Sequence, residues 1–319
     1  MNWMKEAELA SAYRKEIDPF WRQGREGTLV ADDGLGLHYR LFEPAGAETL
    51  VVISAGRTES VIKYQELIFE LGRRGLAVAV LDHRGQGLSG RESHDGNHGH
   101  VRSFDHYVTD FRLFMEQVVK PLGYRRHWLL AHSMGGCIAA LYLARHSHPF
   151  ERCVMSAPMF AIHTHPFPRW LAKAMTRLQS RHHQRLGRPG YVITGKAYAR
   201  LPFEDNRLTH SRVRFEHYQD WYEEYTEAQL GAPTAHWLDA AFGAMAEAIA
   251  LAPKIGIPVL VLIAGEDRIV ARDGQDAFLA GLQDGQGRII EGAWHELLVE
   301  ADAYRDQALS LAWSFLNEA

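Results

Sequence analysis

Three residues stand where a hydrolytic relay could be assembled. Ser133 lies in AHSMGG, residues 131–136, between an apolar run, HWLLAH, and a segment of helical pattern, SMGGCIAALYLARH. That is the setting of the G-x-S-x-G elbow, with Ala131 in the first position. A sharp strand-to-helix turn lifts the hydroxyl clear of the sheet, and small neighbours let the adjacent backbone pass. A serine nucleophile needs a base, and the base needs an acid to orient it. Asp267, in LIAGEDRIV, follows the apolar run PVLVLIAG, and His295, in EGAWHELL, follows the next strand-like segment. The chain order serine, acid, histidine suits this arrangement. Glu266 is the rival acid, but the pattern G-x-D-x-x-V selects Asp267. His295 is one of eighteen histidines, and its place after the last strand singles it out.

Acyl transfer also requires donors for the oxyanion. One is expected at the backbone N–H of Met134, directly after the serine. The other should come from the loop after TLVVIS, which reads Ser54-Ala55-Gly56-Arg57.

A second motif points elsewhere. LDHRGQGLSG, residues 81–90, places Gly85, Gly87 and Gly90 in the spacing G-x-G-x-x-G after the run LAVAVL. In a dinucleotide site the third glycine opens a helix. Here RESHDGNHGH follows, which reads as loop, and at least one strand–helix unit precedes, so no cofactor is expected. His94, His98 and His100 in that loop could suggest a metal. Carboxylates are sparse around them, and a solvated loop with no metal is the expectation.

The elements that must hold these residues alternate. Apolar strand-like runs at 49–54, 76–81, 127–132, 153–158, 258–265 and 288–293 are separated by segments of helical spacing at 61–75, 104–119, 133–146, 271–283 and 299–317. A short hairpin, 28–31 with 37–42 around Asp33-Gly34, opens the series. Such alternation predicts an α/β fold, a mostly parallel sheet covered by helices on both faces. About a hundred residues between 158 and 258 show helical patterns and no convincing strand. The expected organisation is therefore a core of residues 1–158 and 254–319, with a helical cap inserted at 159–253.

These motifs together resemble the α/β-hydrolase superfamily, in the branch of monoacylglycerol lipases and bacterial lysophospholipases. SAGRTESVIKY is similar to that branch's oxyanion loop, H-G-x-G-E-x-S followed by a tyrosine. Laying Glu59 and Tyr64 on the pattern puts Gly56 in the glycine position and makes Arg57 the implied second oxyanion donor. DHRGQGLSGR and GHVRSFDHYVTD match loops of the same branch, in which the glycines have no cofactor role. DNRLTHSRVRF and GAPTAHWL resemble the bacterial lysophospholipases most. Ala55 replaces the usual histidine and Ala131 the usual first elbow glycine; both are small. Dehalogenases and epoxide hydrolases on this scaffold need a carboxylate nucleophile, which Ser133 excludes.

Composition narrows the setting. The chain has 319 residues, 46% of them hydrophobic, and a net charge of −4. No apolar run approaches the roughly 18 residues a spanning helix needs, and the N-terminal segment carries charges throughout. Cys137 and Cys153 sit in apolar contexts, as buried free thiols in a reducing compartment would. The expected location is cytoplasmic. Charge is unevenly spread: between Pro158 and Phe203 there is no acidic residue, but eight basic ones. Trp170, Leu171, Met175 and Leu178 fall on one face of a helix there, alternating with Arg169, Lys173, Arg177 and Arg181. One reading packs that apolar face onto the domain; the other rests a basic amphipathic surface on anionic membrane. FEHYQDWYEEY, 215–225, fits either an acyl tunnel or an ordinary cap helix. The resemblance implies hydrolysis of a single-chain lipid ester, with no cofactor and no nucleic-acid partner. An esterase for small soluble esters and a non-catalytic binding protein stay open, as does the oligomeric state.

Overall fold

The structure is a computed structural model that describes residues 2–318. An N-terminal arm carries α1 (Glu6–Ala12) and α2 (Asp18–Trp21), and β1 (Arg25–Val30) and β2 (Gly36–Phe42) form the opening hairpin. Then come β3 (Thr49–Ser54), α3 (Gln65–Gly72), β4 (Ala77–Leu81), α4 (Phe104–Phe114), β5 (Arg126–His132), α5 (Met134–Arg145) and β6 (Phe150–Ser156). The segment after β6 holds α6 (Arg169–Arg185), α7 (Arg212–Glu224) and α8 (Ala235–Leu251). The chain closes with β7 (Val259–Ala264), α9 (Arg272–Gly281), β8 (Gly285–Ile290) and α10 (Asp302–Leu316).

The strands form one sheet in the order β1-β2-β4-β3-β5-β6-β7-β8. β2 runs antiparallel to β1 and β4, and all other neighbours are parallel. Burial on both faces explains the continuous apolar runs. Along β3, Leu50 and Val52 face a core shared with α4, α5, α8 and α9, while Val51 and Ile53 face one shared with α3 and α10. The period of two in a strand sends alternate side chains to opposite layers.

Three expectations are adjusted. The helix expected from residue 61 begins as a tight 3₁₀ turn, Val61–Tyr64, before α3. The strand expected at 288–293 is shifted: β8 ends at Ile290, and Gly292 turns the chain at φ +76°. Finally, α8 packs on α5 and α9 as well as on α6, and its Trp237, Ala241, Phe242 and Met245 join the main core. It joins the core through the helices it packs on, although it lies inside the segment expected as a cap.

α6 packs on α8 through its small side chains. Thr176 and Ser180 are its buried residues, whereas Trp170 and Leu178 are 71% and 67% exposed. α7 is tied to the N-terminal arm and to α10. Its Arg214 donates to Glu66 through Nε and Nη2 at 2.9 Å each, to Met4 O at 3.1 Å and to Asp302 at 3.0 Å. In turn the Met4 amide donates to Glu70 at 2.6 Å, and Lys5 pairs with Asp306.

Candidate active site

The elbow is built by close backbone approach. Ser133 sits between β5 and α5 at φ 49°, ψ −117°, a conformation that side chains with a Cβ rarely adopt. Its amide donates to Ser156 O at 3.0 Å and its carbonyl accepts from Met159 at 2.9 Å, so the β6 side of the site holds the strained residue. Gly135 explains why α5 can begin here: a Cβ on it would lie 2.1 Å from Ser54 O. Ala131 is fully buried in β5, its carbonyl neighbours paired to β3 and β6, so the methyl is accommodated where the family pattern has glycine.

The three residues expected to form the relay are brought together. His295 Nε2 lies 2.9 Å from Ser133 Oγ, and His295 Nδ1 lies 2.7 Å from Asp267 Oδ2. A proton on Nδ1 donated to Asp267 leaves Nε2 free to accept from the serine hydroxyl. Burial alone would raise the Asp267 carboxyl. The adjacent imidazole, with the amides of Ile269 and Val270 at 2.7 and 2.9 Å on Oδ1, holds it below its ordinary value instead. The rival Glu266 is exposed. Met134 directly follows Ser133 at the start of α5, and Arg57 lies in the loop after β3. Among the described residues neither backbone amide has a protein acceptor, which leaves both donors available. The Arg57 side chain turns away toward the segment after β6, donating to Gly231 O at 2.6 Å with its guanidinium 5.4 Å from the Trp237 ring.

Behind the histidine lies a buried ionic cluster that sequence reasoning did not assemble. Lys63 Nζ is 2.6 Å from Glu59 and 2.7 Å from Glu296, and His132 Nε2 is 3.3 Å from Glu296. Burial opposes charge on His132, but Glu59 and Glu296 raise its pKa. Burial likewise opposes Glu296 ionisation, yet Lys63 and His132 hold its carboxyl well below the usual range. The His132 and His295 rings are 4.9 Å apart. Glu59, His132 and Glu296 approach the spacing of a metal site, and Lys63 supplies the positive charge among them. The only sequence signals were position: His132 precedes the serine, Glu296 follows the histidine, and Lys63 is four residues after Glu59.

Other candidates fall into place. His100 is buried with Nδ1 3.0 Å from Thr234 Oγ1, while His98 bonds Ser93, so the two do not converge on one point. Gly90 opens no helix. On α7, Phe215, Tyr218 and Tyr222 line a cavity of about 120 Å³ together with Leu201, Thr58 and Lys63.

The relay sits on a recognisable scaffold. Residues 45–302 match the family described as serine aminopeptidase, S33. The chain belongs to that family. It is 36% identical to lysophospholipase L2 of Escherichia coli (strain K12) over 308 residues, covering 94% of this chain and 90% of that protein. It is 26% identical to human monoglyceride lipase over 274 residues, covering 84% and 82%. A soluble variant of the Saccharomyces cerevisiae monoglyceride lipase, solved with a substrate analogue, shares the fold with TM-score 0.71 at 18% identity, covering 92% of this chain and 94% of that one. This S33-family chain is thus an α/β-hydrolase of the lysophospholipase and monoglyceride lipase branch.

Proposed function

We propose that the protein is a serine hydrolase that cleaves the carboxylic ester of single-chain lipids, lysophospholipid or monoacylglycerol, through an acyl-enzyme. The observation that carries this reading is the hydrogen-bonded line from Ser133 through His295 to Asp267, on a chain whose long-range relatives are named for those substrates. Ser133 attacks the ester carbonyl as His295 Nε2 takes its proton. Asp267 keeps Nδ1 protonated and stabilises the imidazolium. The amides of Met134 and Arg57 receive the oxyanion, each worth about 3 kcal/mol in the transition state. His295 then protonates the leaving alcohol, and water repeats the sequence on the acyl-enzyme. The aromatic side of α7 lines a small cavity that reaches Thr58 and Glu296, the residues next to Arg57 and His295.

The outward face of α6 suits an anionic membrane. Trp170, Arg177, Leu178, Arg181 and Arg185 are exposed along it, and among the described residues none of its three arginines pairs with a carboxylate. No helix among the described residues is long and apolar enough to cross a membrane. Peripheral contact with the anionic cytoplasmic leaflet would bring the site to single-chain lipid without insertion of a span.

Fatty-acid release from lysophosphatidylcholine and monoacylglycerol, with Ser133→Ala alongside wild type, tests the reaction. Release by wild type and its loss by at least a thousandfold in the variant are expected. Turnover restricted to a short soluble ester would replace the lipid substrate, and silence on every ester would remove the catalytic reading.

A further inference from the structure

The glycine-rich loop after β4 carries a buried amide that grips the oxyanion loop, and we infer that Gln86 is a positioning residue for the second oxyanion donor. The inference rests on the reading of Arg57 as that donor. Gln86 is only 2% exposed. Its Nε2 donates to Gly56 O at 2.9 Å, and its Oε1 accepts from the Thr58 amide at 2.9 Å. The Gly56 carbonyl and the Arg57 N–H belong to one planar peptide and point in opposite directions. Whatever fixes that carbonyl therefore aims that N–H. One side-chain amide bonds backbone groups on both sides of Arg57, and so holds the peptide before it and the peptide after it together.

The grip meets a loop that would not keep its shape unaided. Thr58 has φ +60°, a region sparsely populated by residues with a branched Cβ, and such a conformation persists only where its surroundings over-determine it. Gln86 supplies one hold. Tyr222 of α7 supplies another, its hydroxyl donating to Thr58 O at 2.7 Å. Gly85 and Gly87, at φ +74° and +50°, make the bend that carries Gln86 inward, and a Cβ on Gly87 would lie 2.3 Å from the Asp82 carboxylate. That carboxylate also ties the two loops, accepting from the Val61 amide at 2.7 Å and the Leu88 amide at 2.9 Å. The glycines thus shape a loop whose tip is a polar clamp, which gives the G-x-G-x-x-G pattern its local purpose.

The test compares Gln86→Met, which keeps the volume and removes both bonds, with Gln86→Glu, which sets an acceptor against the Gly56 carbonyl. Tyr222→Phe probes the other hold. Rates are expressed per active serine, counted by reaction to completion with a fluorophosphonate. Inhibition is measured with a trifluoromethyl ketone, whose adduct carries an oxyanion, and with a fatty alcohol of the same chain length, which is neutral and forms no adduct. The expected result is kcat lowered about 10- to 100-fold in both Gln86 variants and several-fold in Tyr222→Phe, with KM within about twofold. Affinity for the ketone should fall in step with kcat while affinity for the fatty alcohol holds. Retained kcat per titrated serine, or equal losses for ketone and fatty alcohol, would overturn the inference. Failure of the underlying reading has a separate signature, ester hydrolysis that survives Ser133→Ala.

Discussion

His83, beside the Gln86 loop, is buried with Nε2 3.0 Å from Ser54 Oγ, and burial pushes its pKa down to about 4. The folded state keeps the ring neutral, whereas the unfolded chain protonates near 6.5. Stability from this residue is therefore present above pH 6.5 and lost as pH falls toward 4. About 2 kcal/mol should be gone by pH 5 and on the order of 3 by pH 4. Urea unfolding of wild type and His83→Gln at pH 7 and pH 5 checks this; parallel losses in the two proteins would show that other groups carry the acid sensitivity. At this scale the relay was the legible part of the site. Ser133 and Asp267 announce themselves because each follows a strand with a continuous apolar run, and His295 because it follows the last strand-like segment. Gln86 and Lys63 do not, because a polar residue in a loop looks solvated until the tertiary fold buries it. Their partners are distant in sequence or come from several segments at once.

The junction of β5 with α5 depends on how near the helix comes to the end of β3. The atoms facing Gly135 are backbone carbonyls, which cannot swing aside as a flexible side chain would. Gly135→Ala should therefore push α5 outward or displace the oxyanion loop. It is expected to cost at least about 3 kcal/mol of stability and most of the esterase activity. Thermal unfolding read together with active-serine titration decides it, and a variant with wild-type Tm and full titre would contradict the close-packed junction. Periodicity located most elements and erred where it is silent by nature. A spacing of 3.6 residues says which side chains share a face, not which face meets the protein. On α6 the pattern left open whether the larger apolar residues pack or face outward; the buried residues are Thr176 and Ser180, and Trp170 and Leu178 are exposed. The same silence concealed α8, whose pattern reads alike whether it faces a cap or the main core.

Across the whole chain, positive charge is concentrated between residues 158 and 203, and the outward face of α6 exposes three of its arginines. If that face meets anionic lipid, each of Arg177, Arg181 and Arg185 contributes about 1 kcal/mol near the surface. Changing all three to Gln should weaken binding to anionic vesicles roughly a hundredfold at low salt and leave the weaker binding to neutral vesicles nearly unchanged. Co-sedimentation with vesicles of each kind measures it, and equal binding of variant and wild type to anionic vesicles would dissociate the face from the membrane. A different consequence follows from the arm at the beginning of the chain. Met4, through its backbone, joins Arg214 of α7 on one side and Glu70 at the end of α3 on the other, while Lys5 reaches Asp306 of α10. The first few residues thus act as a latch between an inserted helix, the sheet's covering layer and the final helix. Removing them would take one bond from Arg214 and both ties to Glu70 and Asp306, while Arg214 would keep its bonds to Glu66 and Asp302. The helix that carries Tyr222 is thus seated against three separate segments of the chain at once.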